Sequence, residues 1–221
     1  MKKILLGFIA IGLFTLVGCK HAIIDLDGNV YTSVSIGTQE WITENLRTTK
    51  YSDGTVIPNV IGSTDWGNLS TGGWSHYDND ISQYGISYGK LYNWYAVNTK
   101  KLCPTGWNVP SEVDWTVLTD YLAANGHDGE EAKALKAFSG WNDGSGKNGI
   151  GTDNYGWNGL PGGYLSVDGY FFSVDYSGHW WSSSQVYADN AWFHSLNSSY
   201  TTVGSSNGNK YAGSSVRCLR D

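Results

Sequence analysis

The chain is expected to fold as an α+β domain with two helices and short, mainly antiparallel strands rich in turns. Three observations carry that expectation. Two stretches near the middle have helix start and stop signals, and short apolar runs punctuated by turn residues flank them on both sides. Glycine is abundant (29 residues) and aromatics make up 14% of the chain against 15% charged residues, which is ample apolar surface to bury and not the composition of a disordered polymer.

The elements follow in order. Lys2 and Lys3 precede the apolar run ILLGFIAIGLFTLV (residues 4–17), which suits a signal-peptide core and is too short for a comfortable membrane span. The run ends in LVGC, with small Gly18 before Cys19. This spacing predicts a lipoprotein leader over residues 1–18, lipidation of Cys19, a short linker over 19–24 and one domain over 25–221. An ordinary secretory leader with a chance cysteine, or a short membrane anchor, is the alternative. Acyl chains on Cys19 would hold the protein to a membrane. Lys20 stands where an inner-membrane retention signal would place aspartate, so the outer membrane is expected, with the leaflet left open.

Asp27-Gly28-Asn29 and Ile36-Gly37-Thr38 read as turns between strands. The first helix is expected after Pro110. Ser111 and Asp114 resemble a capping box, Val113, Val117, Leu118, Tyr121 and Leu122 recur at helical spacing, and Gly126 is the stop. DGEEAKALKAFSG (128–140) predicts a second helix with Ala132, Leu135 and Phe138 inward. Farther on, LPGGYLSVDGYFFSV (160–174) predicts a hairpin closed near Asp168-Gly169. GHWWSSSQVYADNAWFHSLNSS (178–199) predicts two more strands turning at Ala188-Asp189-Asn190, and AGSSVRCLRD (212–221) a last short one. Adjacent Trp180 and Trp181 point to opposite faces of their strand, one into the core and the other toward a ligand or a further layer.

Charge and motifs narrow the function. Without residues 1–18 the chain carries 12 basic and 20 acidic residues, a balance of −8, which leaves no electrostatic footprint for nucleic acid. Two cysteines remain beside Cys19. In an exported chain Cys103 and Cys218 have one intramolecular pairing, a disulfide; a free thiol pair and a catalytic thiolate are the alternatives, and neither cysteine has a base beside it in sequence. Five dispersed histidines do not make a zinc site. No nucleophile elbow, His-Glu-x-x-His or phosphate loop occurs, and acid pairs such as Asp78 and Asp80 are not specific signals, so no enzyme is expected and a glycoside hydrolase ranks last.

Two regions offer binding candidates. In WNDGSGKNGIGTDNYGWNG (141–159), Asp143, Asn148 and Asp153 are oxygen ligands for a structural calcium, with Asn142 and Asn154 as amides for a ligand. The competing reading is a glycine-rich surface loop whose Asp and Asn make local turns. Trp74, Tyr77 and Trp181 are the aromatic candidates for stacking on a sugar or anchoring a protein, set against the prior that most of 11 tryptophans pack the core.

VYTSVSIGTQEWITENLRTTKYSDGT, YGKLYNWYAV, KLCPTGWNVPSEVDWTVLTDYL, GWNGLPGGY, HWWSSS and SVRCLRD, in that order, resemble the Fibrobacter succinogenes major paralogous domain family over about residues 25–221. The resemblance implies a secreted or lipid-anchored bacterial protein with a C-type-lectin-like fold, grouped with formylglycine-generating enzymes. That oxidase chemistry needs two reactive cysteines late in the chain, and only Cys218 is there. Trp141-Asn142-Asp143 spells a tripeptide of calcium-dependent lectins, but it follows the second helix directly and lacks the partner proline motif, so it reads as coincidence. The expected function is recognition of a glycan or protein by aromatic and polar loops. A structural cell-envelope component without a small ligand is the alternative.

Overall fold

The computed structural model describes residues 22–142, 149 and 151–221; Cys19, Asp143 and Asn148 lie outside them. In chain order come β1 (Ile23–Ile24), β2 (Val30–Tyr31), β3 (Ser33–Ile36), β4 (Gln39–Ile42), α1 (Ser63–Gly67), β5 (Trp74–Ser75), α2 (Ile86–Tyr88), β6 (Leu91–Asn93) and α3 (Trp94–Asn98). There follow β7 (Trp107–Asn108), α4 (Glu112–Leu122), α5 (Glu131–Leu135), β8 (Gly162–Leu165), β9 (Phe171–Val174), β10 (Ser177–Gln185), β11 (Asn190–Asn197), β12 (Gly204–Asn209), β13 (Gly213–Ser214) and β14 (Leu219–Arg220). Mixed helices and mainly antiparallel strands make the domain α+β.

One sheet runs β12-β11-β10-β8-β13-β6-β5, with β9 also paired to β8. A second runs β3-β4-β14-β7, so the last strand sits between elements from the start and the middle of the chain. Leu219 lies opposite both Trp41 and Asn108. The expected turns are present: Gly28, Gly37 and Gly169 all have positive φ at their reversals. The pairing of β10 with β11 turns around residues 186–189.

Burial falls into two large clusters. The first holds Tyr31, Leu46, Trp74, Tyr92, Trp94, Trp181 and the two cysteines. The second holds Trp41, Trp115, Trp141, Trp157, Trp180, Leu118, Leu122 and Leu135. Three consecutive pairs divide between them: Trp41/Ile42, Trp180/Trp181 and Cys218/Leu219. Side chains alternate across an extended chain, so β4, β10 and the approach to β14 are each covered by core on both faces. Trp181 therefore faces no ligand; its indole is 1% exposed and donates to the Tyr92 carbonyl at 2.8 Å.

Both expected helices form, as α4 and α5, with different inward faces from those expected. Three short helices, α1–α3, precede them; the two-helix expectation missed these because each spans only three to five residues. The Ser111–Asp114 capping box is complete. The buried set of α4 is Trp115, Leu118 and Leu122. Val113 and Val117 are two positions away from Trp115 on either side, about 200° around the helix, and lie exposed. α5 stops at Leu135, because Lys136 turns extended and bridges to Gly159, so Phe138 leaves the helical period and is 71% exposed.

Cys103 and Cys218 are joined, their Cα atoms 6.0 Å apart inside the first cluster. Four buried cations each sit over an indole: Lys90 on Trp74, Lys136 on Trp141, Lys210 on Trp94 and Arg217 on Trp157, at 4.1–5.4 Å from the ring centroids. Each also donates to main-chain carbonyls, Lys90 to Arg47, Lys136 to Asn197 and Tyr200, Lys210 to Ala188, and Arg217 to Trp157 and Asn158. Their hydrogen bonds knot loops to the core, and the indole face replaces part of the lost hydration.

Candidate functional site

The aromatic residues expected to meet a ligand are core residues. Trp74 is 7% exposed, its indole N–H donates to the Ile57 carbonyl at 2.9 Å, and Lys90 covers its ring. Tyr77, 6% exposed, packs in a third, smaller cluster against Tyr84 and Phe171. With Trp181 buried as well, none of the three offers a ring face to solvent. Burying a large aromatic is strongly favourable wherever its polar atom finds a partner, and that condition is met at Trp74 and Trp181.

The glycine-rich loop is built around local turns where it is described. Asp153 has φ 35° and accepts the Asn158 amide at 2.7 Å; burial raises its pKa, and Arg217 nearby opposes the rise. Exposed Asn154 accepts a hydrogen bond from Thr152. Half-buried Asn142 donates its main-chain N–H to the Asp175 carbonyl at 2.7 Å. Trp141 is buried, with its indole N–H on the Gly159 carbonyl at 3.0 Å, which makes that tryptophan structural. Among the described residues no three His, Cys, Asp or Glu side chains converge as a metal site.

A different surface has the features a sugar site needs. An open groove of about 620 Å³ lies between α1 and the tip of the β8–β9 hairpin, lined by Ser63, Thr64, Asn68, Asp168, Tyr170 and Tyr211. Trp66 is the buried residue of α1 and donates its indole N–H to the Tyr211 carbonyl at 2.7 Å, which ties the helix to that wall. The hairpin tip packs directly on the helix: a Cβ at Gly169, where φ is +76°, would collide with the Ser63 Cα. Only glycine allows that approach.

The walls are chemically mixed. Tyr170 is 62% exposed. Tyr211 is held by the edge of Tyr95, ring centroids 5.3 Å apart, and the pKa of Tyr95 is raised to about 12 by burial and its hydrogen bond to Tyr211. Ser63, Thr64, Asn68 and Asp168 line the groove as well; the Asn68 side-chain nitrogen donates to the Thr64 carbonyl at 2.9 Å. Such a set can stack on an apolar ring face and hydrogen-bond the hydroxyls around its rim. Two tyrosines flanking a distant-in-sequence helix carry no motif, so only the fold assembles this site.

A second cavity, of about 400 Å³, lies beside β1 and the disulfide. Its charges are engaged within the protein. Arg220 pairs with Glu40 at 3.1 Å and Lys50 with Asp27 at 3.1 Å, while Asp25 accepts from Tyr31 Oη at 2.7 Å and from Asn29 Nδ2 at 2.8 Å. Elsewhere, Phe172, Tyr164, His179 and Phe193 form a cross-strand row, with three successive centroid spacings of 4.7–5.7 Å. Those rings lean on one another, so their faces are mostly taken up by their neighbours.

No curated protein and no solved structure matches the chain. The model of the Fibrobacter succinogenes major domain matches residues 34–220, from β3 to β14. The chain belongs to the Fibrobacter succinogenes major domain family.

Proposed function

We propose that this protein is a lipid-anchored, extracytoplasmic binding protein of the outer membrane, and that it takes a glycan chain across the groove between Tyr170 and Tyr211 without transforming it. The observation that carries this reading is the groove itself, a shallow, open surface lined by two tyrosines with hydroxyl, amide and carboxylate residues beside them. The leader pattern ending at Cys19 supports the anchor. The Cys103–Cys218 bond supports an oxidising compartment. A C-type-lectin-like fold is supported by the pairing of early β4 with terminal β14 around a loop-rich centre.

Glycoside hydrolysis would need two carboxylates facing each other at about 5–9.5 Å. The groove lining supplies Asp168 alone. A purely architectural envelope role would suit an apolar contact surface better than this polar lining.

Purified residues 20–221 on a glycan array test the reading. Saturable binding is expected, weakened at least tenfold by Tyr170→Ala or Tyr211→Ala with the melting temperature nearly unchanged. A blank array with folded, oxidised protein overturns glycan recognition. Repeating the array with chelator tests calcium separately; binding that survives chelation removes calcium from the site.

A further inference from the structure

The β1–β2 ribbon has two faces of opposite fate. Ile23 lies opposite Tyr31, and both turn inward to the first core. Ile24 lies opposite Val30 on the other face, and neither side chain is covered: they are 53% and 53% exposed. Leu26, in the turn that joins the strands, is 55% exposed. A two-stranded ribbon that is apolar on both faces and packed on only one is an unpartnered sheet face.

The covalent chain says what covers it. Ala22 is three residues from Cys19. Three residues extend at most about 11 Å. The polar layer on each side of a bilayer's hydrocarbon core is about 5–8 Å deep. A lipid on Cys19 therefore holds Ala22, at the foot of the ribbon, within about 11 Å of the lipidated residue, a distance comparable with the depth of that layer.

We propose that the outer face of the β1–β2 ribbon, Ile24, Leu26 and Val30, seats in the lipid interface and fixes the orientation of the domain on the membrane. This inference rests on the lipidation of Cys19 in the proposed function above. None of Ile24, Leu26 and Val30 lines the tyrosine groove. The occupant is the bilayer that holds the anchor; a second copy of the chain is the competing occupant.

The full chain is expressed with its leader, purified with the Cys103–Cys218 bond intact, and reconstituted in phosphatidylethanolamine–phosphatidylglycerol vesicles. Three single variants, Ile24→Cys, Val30→Cys and Phe138→Cys, carry an environment-sensitive fluorophore; all three sites are exposed, and Phe138 belongs to the distant α5 loop. Mass spectrometry of the N-terminal peptide reports whether Cys19 is acylated. The expected result is an acylated peptide, with blue-shifted emission and quenching by spin-labelled lipid at 24 and 30 and neither at 138. An acylated protein whose probes at 24 and 30 remain in water overturns the seat and leaves the anchor standing. An unmodified Cys19 overturns the anchor and the seat with it. A blue shift at 24 and 30 that needs no vesicles and grows with protein concentration assigns the face to a second copy and overturns the membrane seat.

Discussion

Among single residues, the side chains under most constraint are the buried cations. Arg217 is 1% exposed; its Nε donates to Asn45 Oδ1 at 3.1 Å, its two terminal nitrogens to the carbonyls of Trp157 and Asn158, and its guanidinium lies 4.1 Å from the Trp157 ring centroid. The planar fork satisfies three acceptors at once, which an ammonium on a flexible stem cannot reproduce. Arg217→Met is expected to destabilise the domain by about 3 kcal/mol, since buried acceptors lose their donors, and Arg217→Lys to recover only part of that. Urea unfolding of the two variants checks the ranking; equal stability of the Arg217→Met variant and wild type would show that the fork is dispensable. The sequence marks Arg217 only as a neighbour of Cys218. Its role depends on a loop 60 residues away.

Among the elements, the cross-strand row on β9, β8, β10 and β11 links packing to pH. Burial holds the His179 imidazole at about 4, well below its ordinary 6.5. Its ring lies between Tyr164 and Phe193, and its Nε2 meets Ser177 Oγ at 3.0 Å. Between pH 6.5 and 4 the unfolded chain binds a proton at this histidine that the folded one refuses, so stability falls as pH drops through that window and is independent of this group above it. His76 and His194 are lowered by burial too and act in the same direction. His179→Phe keeps a ring in the row and removes the proton. It is expected to lose less melting temperature between about pH 7 and pH 4.5 than wild type does. Parallel slopes for the two proteins would place the acid sensitivity elsewhere.

Element boundaries show where local signals suffice. The Ser111–Asp114 box, the Asp27-Gly28 turn and the Asp168-Gly169 hairpin are decided within a few residues, and each forms as the sequence predicts. The second helix is different. Its periodicity continues to Phe138, yet the chain leaves the helix at Lys136, where the main chain bridges to Gly159 and Ala137 donates to the Gly159 carbonyl at 2.9 Å. A contact between segments distant in sequence overrides the local pattern.

For the molecule as a whole, the Cys103–Cys218 bond closes a segment of 115 residues and ties β14 to the lead-in of α4. In the chain-entropy model a loop of this length contributes about 4–5 kcal/mol. The Cys103→Ser, Cys218→Ser double variant is expected to lose stability of that order, and reductant to lower the denaturation midpoint of wild type but not of the variant. Coincident midpoints for oxidised and reduced wild type would show that the two cores hold the chain ends without the bond. Both sulfurs are buried beside Val216 and Trp181, so the fold also shields the bond from exchange.

The α+β class, most turns, the helix start at Ser111, the partnership of the two domain cysteines and the family are all legible in the residues alone. These are short-range or pairwise facts: turn residues, caps and alternation act over about two to seven positions, and the two cysteines of the domain leave a single pairing between them. Which aromatics meet solvent is settled by folding. Trp74, Tyr77 and Trp181 look the same in sequence as Tyr170 and Tyr211, because a ring has no local signature of burial. Exposure is set by what lies across the sheet: core on both faces of β10 covers Trp181, while Tyr170, beside the Gly169 that packs on α1, stays 62% exposed. The groove joins residues 63–68, 167–170 and 211, and a surface made from three separated segments exists only once the chain has folded.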